Sequence, residues 1–87
     1  MIRIVYGSRF LRSAKKLDNE LKQKLAECIA ILQRNPFNSH LHTKSLTGGL
    51  TGFFSFRITR DWRVIFKFLD PEIIQLIDVA HRKDIYR

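Results

Sequence analysis

The sequence predicts an α+β domain: an antiparallel β-sheet with an N-terminal helical hairpin packed on one face, in the order β-α-α-β-β-β. Three observations carry this. "IRIVY", residues 2–6, alternates apolar and polar and is rich in β-branched residues. Two stretches with the 3.6-residue apolar period of a helix follow it. The last third then holds three apolar-rich runs separated only by "TRD" and "LDPE", and connections that short force neighbouring strands to run antiparallel.

Taken in order, the first strand is broken by Gly7 and Ser8, and Ser8 is placed to cap a helix. That helix spans about Arg9 to Leu17, with Phe10, Leu11, Ala14 and Leu17 on one face. Asp18 caps a second helix from near Asn19. Its Leu21, Leu25, Cys28, Ile29 and Leu32 follow the helical period, while Lys22, Lys24 and Glu27 point away. "RNPFN" ends it, because Pro36 cannot continue the hydrogen-bond ladder and biases Asn35 away from helix. Residues 37–52, "FNSHLHTKSLTGGLTG", form a polar connection in which Gly48, Gly49 and Gly52 suit turns at positive φ. The remaining strands are "FFSFRI" (53–58), "WRVIFKF" (62–68) and "IIQLIDVAH" (73–81).

Alternation assigns faces. Trp62, Val64, Phe66 and Phe68 share one side of their strand, as do Phe54, Phe56 and Ile58 on theirs, and this apolar set packs on the helices. Arg57, Arg63 and Lys67 then line the opposite face, with His81 projecting beside them. Separated cations on a sheet face suit a phosphate backbone. The same pattern also describes an ordinary solvated face.

Composition narrows the partners. A chain of 87 residues makes one domain, residues 1–87, and at this length roughly 60% of the unfolded surface is buried on folding. Sixteen Lys and Arg against eight Asp and Glu give a net charge of +8, which points to a polyanion or an acidic protein as partner. No apolar run approaches the ~20 residues of a membrane span, and none suits a secretion signal, so a cytoplasmic location is expected. The lone Cys28 sits in an apolar helical stripe and reads as a buried hydrophobe. Neither a zinc site nor any other metal or cofactor is expected.

The stretch "SLTGGLTGFFSFRITRDWRVIFKF", followed by "IIQLIDVAHRKDIYR", resembles the RelE/ParE superfamily of small bacterial and archaeal toxins. The shared features are an "L-x-G-x-L-x-G" approach to the sheet, an "R-x-x-x-D-[YW]-R-[VLI]-[IV]-[YF]" central strand and a terminal "H-R-x-x-[IV]-Y". They cover residues 44–87, while the N-terminal strand and hairpin match in order and length only. The resemblance implies the toxin of a type II toxin-antitoxin system, bound in a hetero-oligomer by a cognate acidic antitoxin. In the RelE, YafQ and YoeB branches it implies a metal-independent, ribosome-dependent mRNA endoribonuclease. There the 2′-OH attacks the adjacent phosphate in the ribosomal A site. A ParE-like gyrase inhibitor and an inactive antitoxin-binding module are the alternatives on the same fold.

Metal-free cleavage needs a base for the 2′-OH proton, cations for the phosphorane and an acid for the 5′-oxygen. The resemblance places Arg63 as the phosphate-stabilising arginine and His81 as the proton-transfer imidazole of YafQ- and YoeB-like members. Tyr86 matches the terminal Tyr of RelE-like members, which implies stacking or proton relay. Asp61 and Trp62 stand at an "Asp-Trp" pair. Asp61 is either an orienting group or a turn residue, and Trp62 either a core or a stacking ring. Lys44 and Arg57 fall where YafQ-like members carry histidines, and with Lys67 they are expected to hold phosphate. Arg82, Lys83 and Arg87 are expected on ribosomal RNA phosphates or the antitoxin. His42 and His40, on the Gly-rich loop, are weaker candidates for a base. Residues 44–57 contain no Glu to serve as a YoeB-like base.

Overall fold

The structure, a computed structural model, describes residues 1–86. Its elements are β1 (Arg3–Tyr6), α1 (Ser8–Lys15), α2 (Asn19–Arg34), β2 (Lys44–Ser45), β3 (Phe54–Arg57), β4 (Trp62–Asp70) and β5 (Ile73–His81). Single 3₁₀ turns lie at Ser39–Leu41 and Gly48–Leu50. The strands form one sheet in the spatial order β1-β5-β4-β3-β2. The last three strands pair antiparallel, as their short connections require. β1 instead joins the edge of β5 in parallel, Arg3 opposite Ile73 and Tyr6 opposite Leu76, which the two intervening helices make possible.

The junction of β1 and α1 corrects one expectation. The residue at the N-cap is Gly7, not Ser8, and its carbonyl accepts the Leu11 N–H at 3.0 Å. Gly7 also donates its own N–H to Leu76 O at 3.0 Å, and a Cβ there would lie 2.6 Å from that oxygen. Close backbone approach therefore starts the helix one residue early, and any other residue type would collide. Leu11, expected on the buried face of this helix, is 50% exposed, whereas Phe10 and Leu17 are buried.

Asp18 caps α2 as expected, its Oδ1 accepting the Leu21 N–H at 2.8 Å. Asn35 is extended at the other end, the conformation that Pro36 imposes. Gly48 and Gly52 take positive φ, but Gly49 does not; it lies inside the second 3₁₀ turn.

The core fills the space between helices and sheet. Phe10, Leu17, Leu25 and Leu32 pack against Phe56, Val64, Phe66, Ile74, Leu76 and Val79, with Trp62, Phe54 and Phe68 around the margin. Burying each of the larger side chains contributes about 1.5–3 kcal/mol. A register shift between β4 and β5 decides which residues reach this core. Phe66 faces Leu76 while Ile65 faces Asp78, so Ile77 is an extra residue and the alternation restarts after it. Leu76 and Val79 both point inward as a result.

Candidate functional site

The site is built by register. Lys44 lies opposite Ser55 and Arg57 opposite Arg63, so these four side chains leave the face of the sheet away from the helices. Two guanidinium groups directly across a strand pair repel one another. Arg63 Nε is in addition buried with no hydrogen-bond partner among the described residues. A buried donor left unpaired costs about 1–3 kcal/mol. A bound anion between the two arginines relieves their repulsion.

Tyr86 reaches this face because the chain turns back after β5. Ile85, 5% exposed, lines a hollow together with Leu50, Phe53, Ile65 and Ile77 on the open side of the sheet. That apolar anchor carries the next residue over Lys44, whose Nζ stands 5.9 Å from the Tyr86 ring centroid. The Tyr86 hydroxyl makes a long contact of 3.4 Å to Oγ of the buried Ser55. Burial alone pushes the phenol up. Hydrogen bonding from Ser55 and Arg63, with the charges of Lys44 and Arg63, outweighs it and holds Tyr86 below its ordinary ionisation near 10. An open cavity of about 440 Å³, lined by Lys44, Leu46, Thr47, Gly49, Leu50 and Tyr86, lies alongside. That volume falls in the range of small-ligand sites.

Arg63, Lys44, Arg57 and Tyr86 thus come together, and His81 does not. The expectation that His81 projects beside Arg63 is corrected: Ala80 lies opposite Arg63, and His81 lies opposite Trp62 on the helix side. The extra residue Ile77 is the cause, since unbroken alternation from Leu76 would have turned His81 to the open face. The His81 ring meets Trp62 edge to face at a centroid distance of 5.5 Å, in a hollow shared with Ser13, Lys16 and Leu17. Trp62 packs against the core.

Asp61 is a turn residue, its N–H donating to Thr59 Oγ1 at 3.3 Å. Its carboxylate pairs with Arg82, Nε to Oδ1 at 3.4 Å. Lys67 shares the open face but lies about 13 Å along the strand from Arg63, with its ammonium 5.8 Å from the Phe53 ring. Lys83 is exposed. Arg87 lies outside the described residues. His40 and His42 line a separate hollow with Arg57 and Arg60, and His42 is left-handed at φ 50°. Sequence reasoning passed over Ser55, although alternation in "FFSFRI" had already put it on the cationic face.

Among the described residues, no group of three or more His, Cys, Asp or Glu is placed to hold a metal ion, and no helix is long and apolar enough to cross a membrane. The open face offers cations for a phosphate and one phenol with an altered ionisation for moving a proton.

Comparisons with known proteins bear on the family and the fold. A family model described as the YoeB-like toxin of bacterial type II toxin-antitoxin systems matches residues 10–83. No sequence among the curated proteins matches significantly. Among solved structures, YafQ from E. coli strain BL21(DE3) superposes with a TM-score of 0.82 over 100% of both chains at 19% identity. A YoeB/ParE toxin from Agrobacterium tumefaciens gives 0.80, covering 93% of this chain and 99% of its own, also at 19% identity. The archaeal RelE-RelB complex from Pyrococcus horikoshii OT3 gives 0.78, covering 95% and 97%, again at 19% identity. At such identities the structural likenesses speak for the fold.

Proposed function

The chain belongs to the YoeB-like toxin family of bacterial type II toxin-antitoxin systems, and from that premise we propose that it is a ribosome-dependent mRNA endoribonuclease working through the face that joins Arg63, Lys44, Arg57 and Tyr86. The observation that carries this reading is Arg63 set directly across from Arg57 on the face that also holds Lys44 and Tyr86. The arrangement is unfavourable in the empty protein and favourable around a phosphate.

The chemistry divides as follows. The 2′-OH attacks the adjacent phosphorus, and Tyr86, with its ionised form stabilised by Arg63 and Lys44, takes the 2′ proton. Arg63, with Arg57 beside it, neutralises the charge that builds on the equatorial oxygens. The P–O5′ bond then breaks to leave a 2′,3′-cyclic phosphate, and the proton held by Tyr86 passes to the departing 5′-oxygen. Fixed cations supply the charge stabilisation that a divalent metal supplies in other nucleases. The acceptor is tuned by neighbours rather than by sequence type, which suits a phenol better than the solvent-exposed His42.

A cognate antitoxin is the partner in this reading. Solved relatives include a YoeB-YefM complex from Staphylococcus aureus and the RelE-RelB complex above. A net charge of +8 favours an acidic segment laid over the cationic face.

The experiment is induction of the chain alone in bacteria, with mRNA 5′ ends mapped by primer extension beside Arg63→Ala and Tyr86→Phe. New ends in register with translated codons, absent from both variants, are expected. Growth arrest with intact transcripts would overturn the nuclease and leave a gyrase inhibitor, and no arrest would leave a binding module.

A further inference from the structure

His81 stands on the far side of the sheet from Arg63, yet its Nδ1 and its carbonyl both engage the turn that carries Tyr86. Its Nδ1 accepts the Lys83 N–H at 3.2 Å. Its carbonyl accepts the N–H groups of Asp84 at 2.8 Å and Ile85 at 3.1 Å. A ring nitrogen that accepts carries no proton, so the neutral ring has its hydrogen on Nε2. Trp62 holds the ring in place, edge to face at 80°. From the β3–β4 turn, Asp61 grips the same segment: its carbonyl takes the Arg82 N–H at 2.7 Å and its carboxylate pairs with the Arg82 guanidinium.

We infer that His81 is a positioning residue: its Nδ1 and carbonyl shape the turn over residues 82–86, with Asp61 as second anchor, and so fix where the Tyr86 hydroxyl meets Ser55 and Lys44. The catalytic consequence rests on the proposed nuclease reading; the geometric role does not. An imidazole whose Nδ1 is engaged and whose ring lies against Trp62 is on the wrong side of β5 to reach a phosphate at Arg63, since Ala80 occupies the place opposite that arginine. The turn has its own logic. Nδ1 accepting the N–H two residues on is the bond that Asn makes with its side-chain oxygen in an Asx turn. His81 therefore acts as a turn-former whose ring also packs.

That equivalence supplies the test. Asn at this position keeps an acceptor where Nδ1 stands but cannot transfer a proton. Gln reaches the place of Nε2 and leaves the Lys83 N–H without its near acceptor. His81→Asn, His81→Gln and His81→Ala are compared for cleavage of ribosome-bound mRNA. In a Tyr6→Phe background, the phenol of Tyr86 is also titrated by ultraviolet absorbance, and thermal melts establish that each variant is folded. His81→Asn is expected to retain most of the cleavage and the native Tyr86 titration. His81→Gln and His81→Ala are expected to lose about 10–100-fold, the range in which small misplacements of a reacting group fall, with Tyr86 titrating higher. Folded His81→Asn as inactive as His81→Ala, with Tyr86 titrating as in the parent, would overturn the inference and return the imidazole to proton transfer. If the parent chain cuts no mRNA, the nuclease reading fails by itself and the titration decides alone. A Tyr86 shift in the Gln and Ala variants but not in Asn supports positioning, and one titration shared by all variants refutes it.

Discussion

Replacing Arg63 with Met should make the protein more stable and less active at once. The side chain is similar in length and packs in the same channel, but it carries neither the charge nor the donor. Two penalties disappear: the unpaired buried Nε, about 1–3 kcal/mol, and the repulsion from Arg57 across the strand pair, about 0.2–1 kcal/mol. One favourable interaction is lost, the hydrogen bonding of Arg63 to Tyr86, at about 0.5–1.5 kcal/mol. The balance is a gain of about 1–2 kcal/mol. For a domain of this size each kcal/mol moves Tm by about 4–8 °C, so a rise of roughly 5–15 °C is expected by calorimetry or circular dichroism. Cleavage should fall about 10²–10³-fold, the usual cost of removing one donor to a developing oxyanion. Added phosphate should narrow the stability gap by binding the parent alone. An unchanged or lower Tm for Arg63→Met would refute the idea that this face is held in an unfavourable state awaiting an anion.

Tyr86 ionises below its ordinary value, so its phenolate stabilises the fold at pH above about 10, and that contribution is lost as pH falls through the lowered native value. Stability compared between parent and Tyr86→Phe should therefore diverge only in alkaline solution, and a gap that opens on acidification would be the wrong sign. Gly7→Ala forces a methyl to within 2.6 Å of Leu76 O, and the overpacking should cost about 1–3 kcal/mol, seen as a Tm lower by roughly 5–20 °C. Burial, and secondarily Glu27, push the Cys28 thiol up. Alkylation near neutral pH should be slow in the native protein and fast in denaturant, and equal rates would contradict the packing of Cys28 in α2.

Local patterns were legible in the sequence to the extent that one residue's neighbours determine them. Alternation in "WRVIFKF" put Val64 and Phe66 in the core and Arg63 on the open face, where they are found. Asp18 and Pro36 marked the ends of α2 through their own chemistry. What escaped was set by geometry between distant segments. β2 has two residues, too few to show any period, yet its pairing with β3 is what brings Lys44 to Ser55. The extra residue Ile77 reversed the faces of everything after it in β5, and no residue type advertises a bulge there. Of the candidate site, Arg63 and Tyr86 were singled out in the sequence and lie on one face, whereas the separation of His81 from them came from one uncounted step in a strand.

The parallel pairing of β1 with β5 has a further consequence, in time. Arg3 pairs with Ile73, and 73 − 3 gives a separation of 70 residues. At a synthesis rate of about 5–20 residues per second, roughly 4 to 14 s pass between making the first strand and making its neighbour. During that interval the helices have been made, but β1 has no strand to lie against, and Tyr86 has not yet been made. A partly synthesised chain thus lacks Tyr86 on the cationic face, because that residue is among its latest-made parts. The same delay leaves an unpaired strand edge exposed on every nascent molecule, and whatever first covers that edge influences how many chains mature.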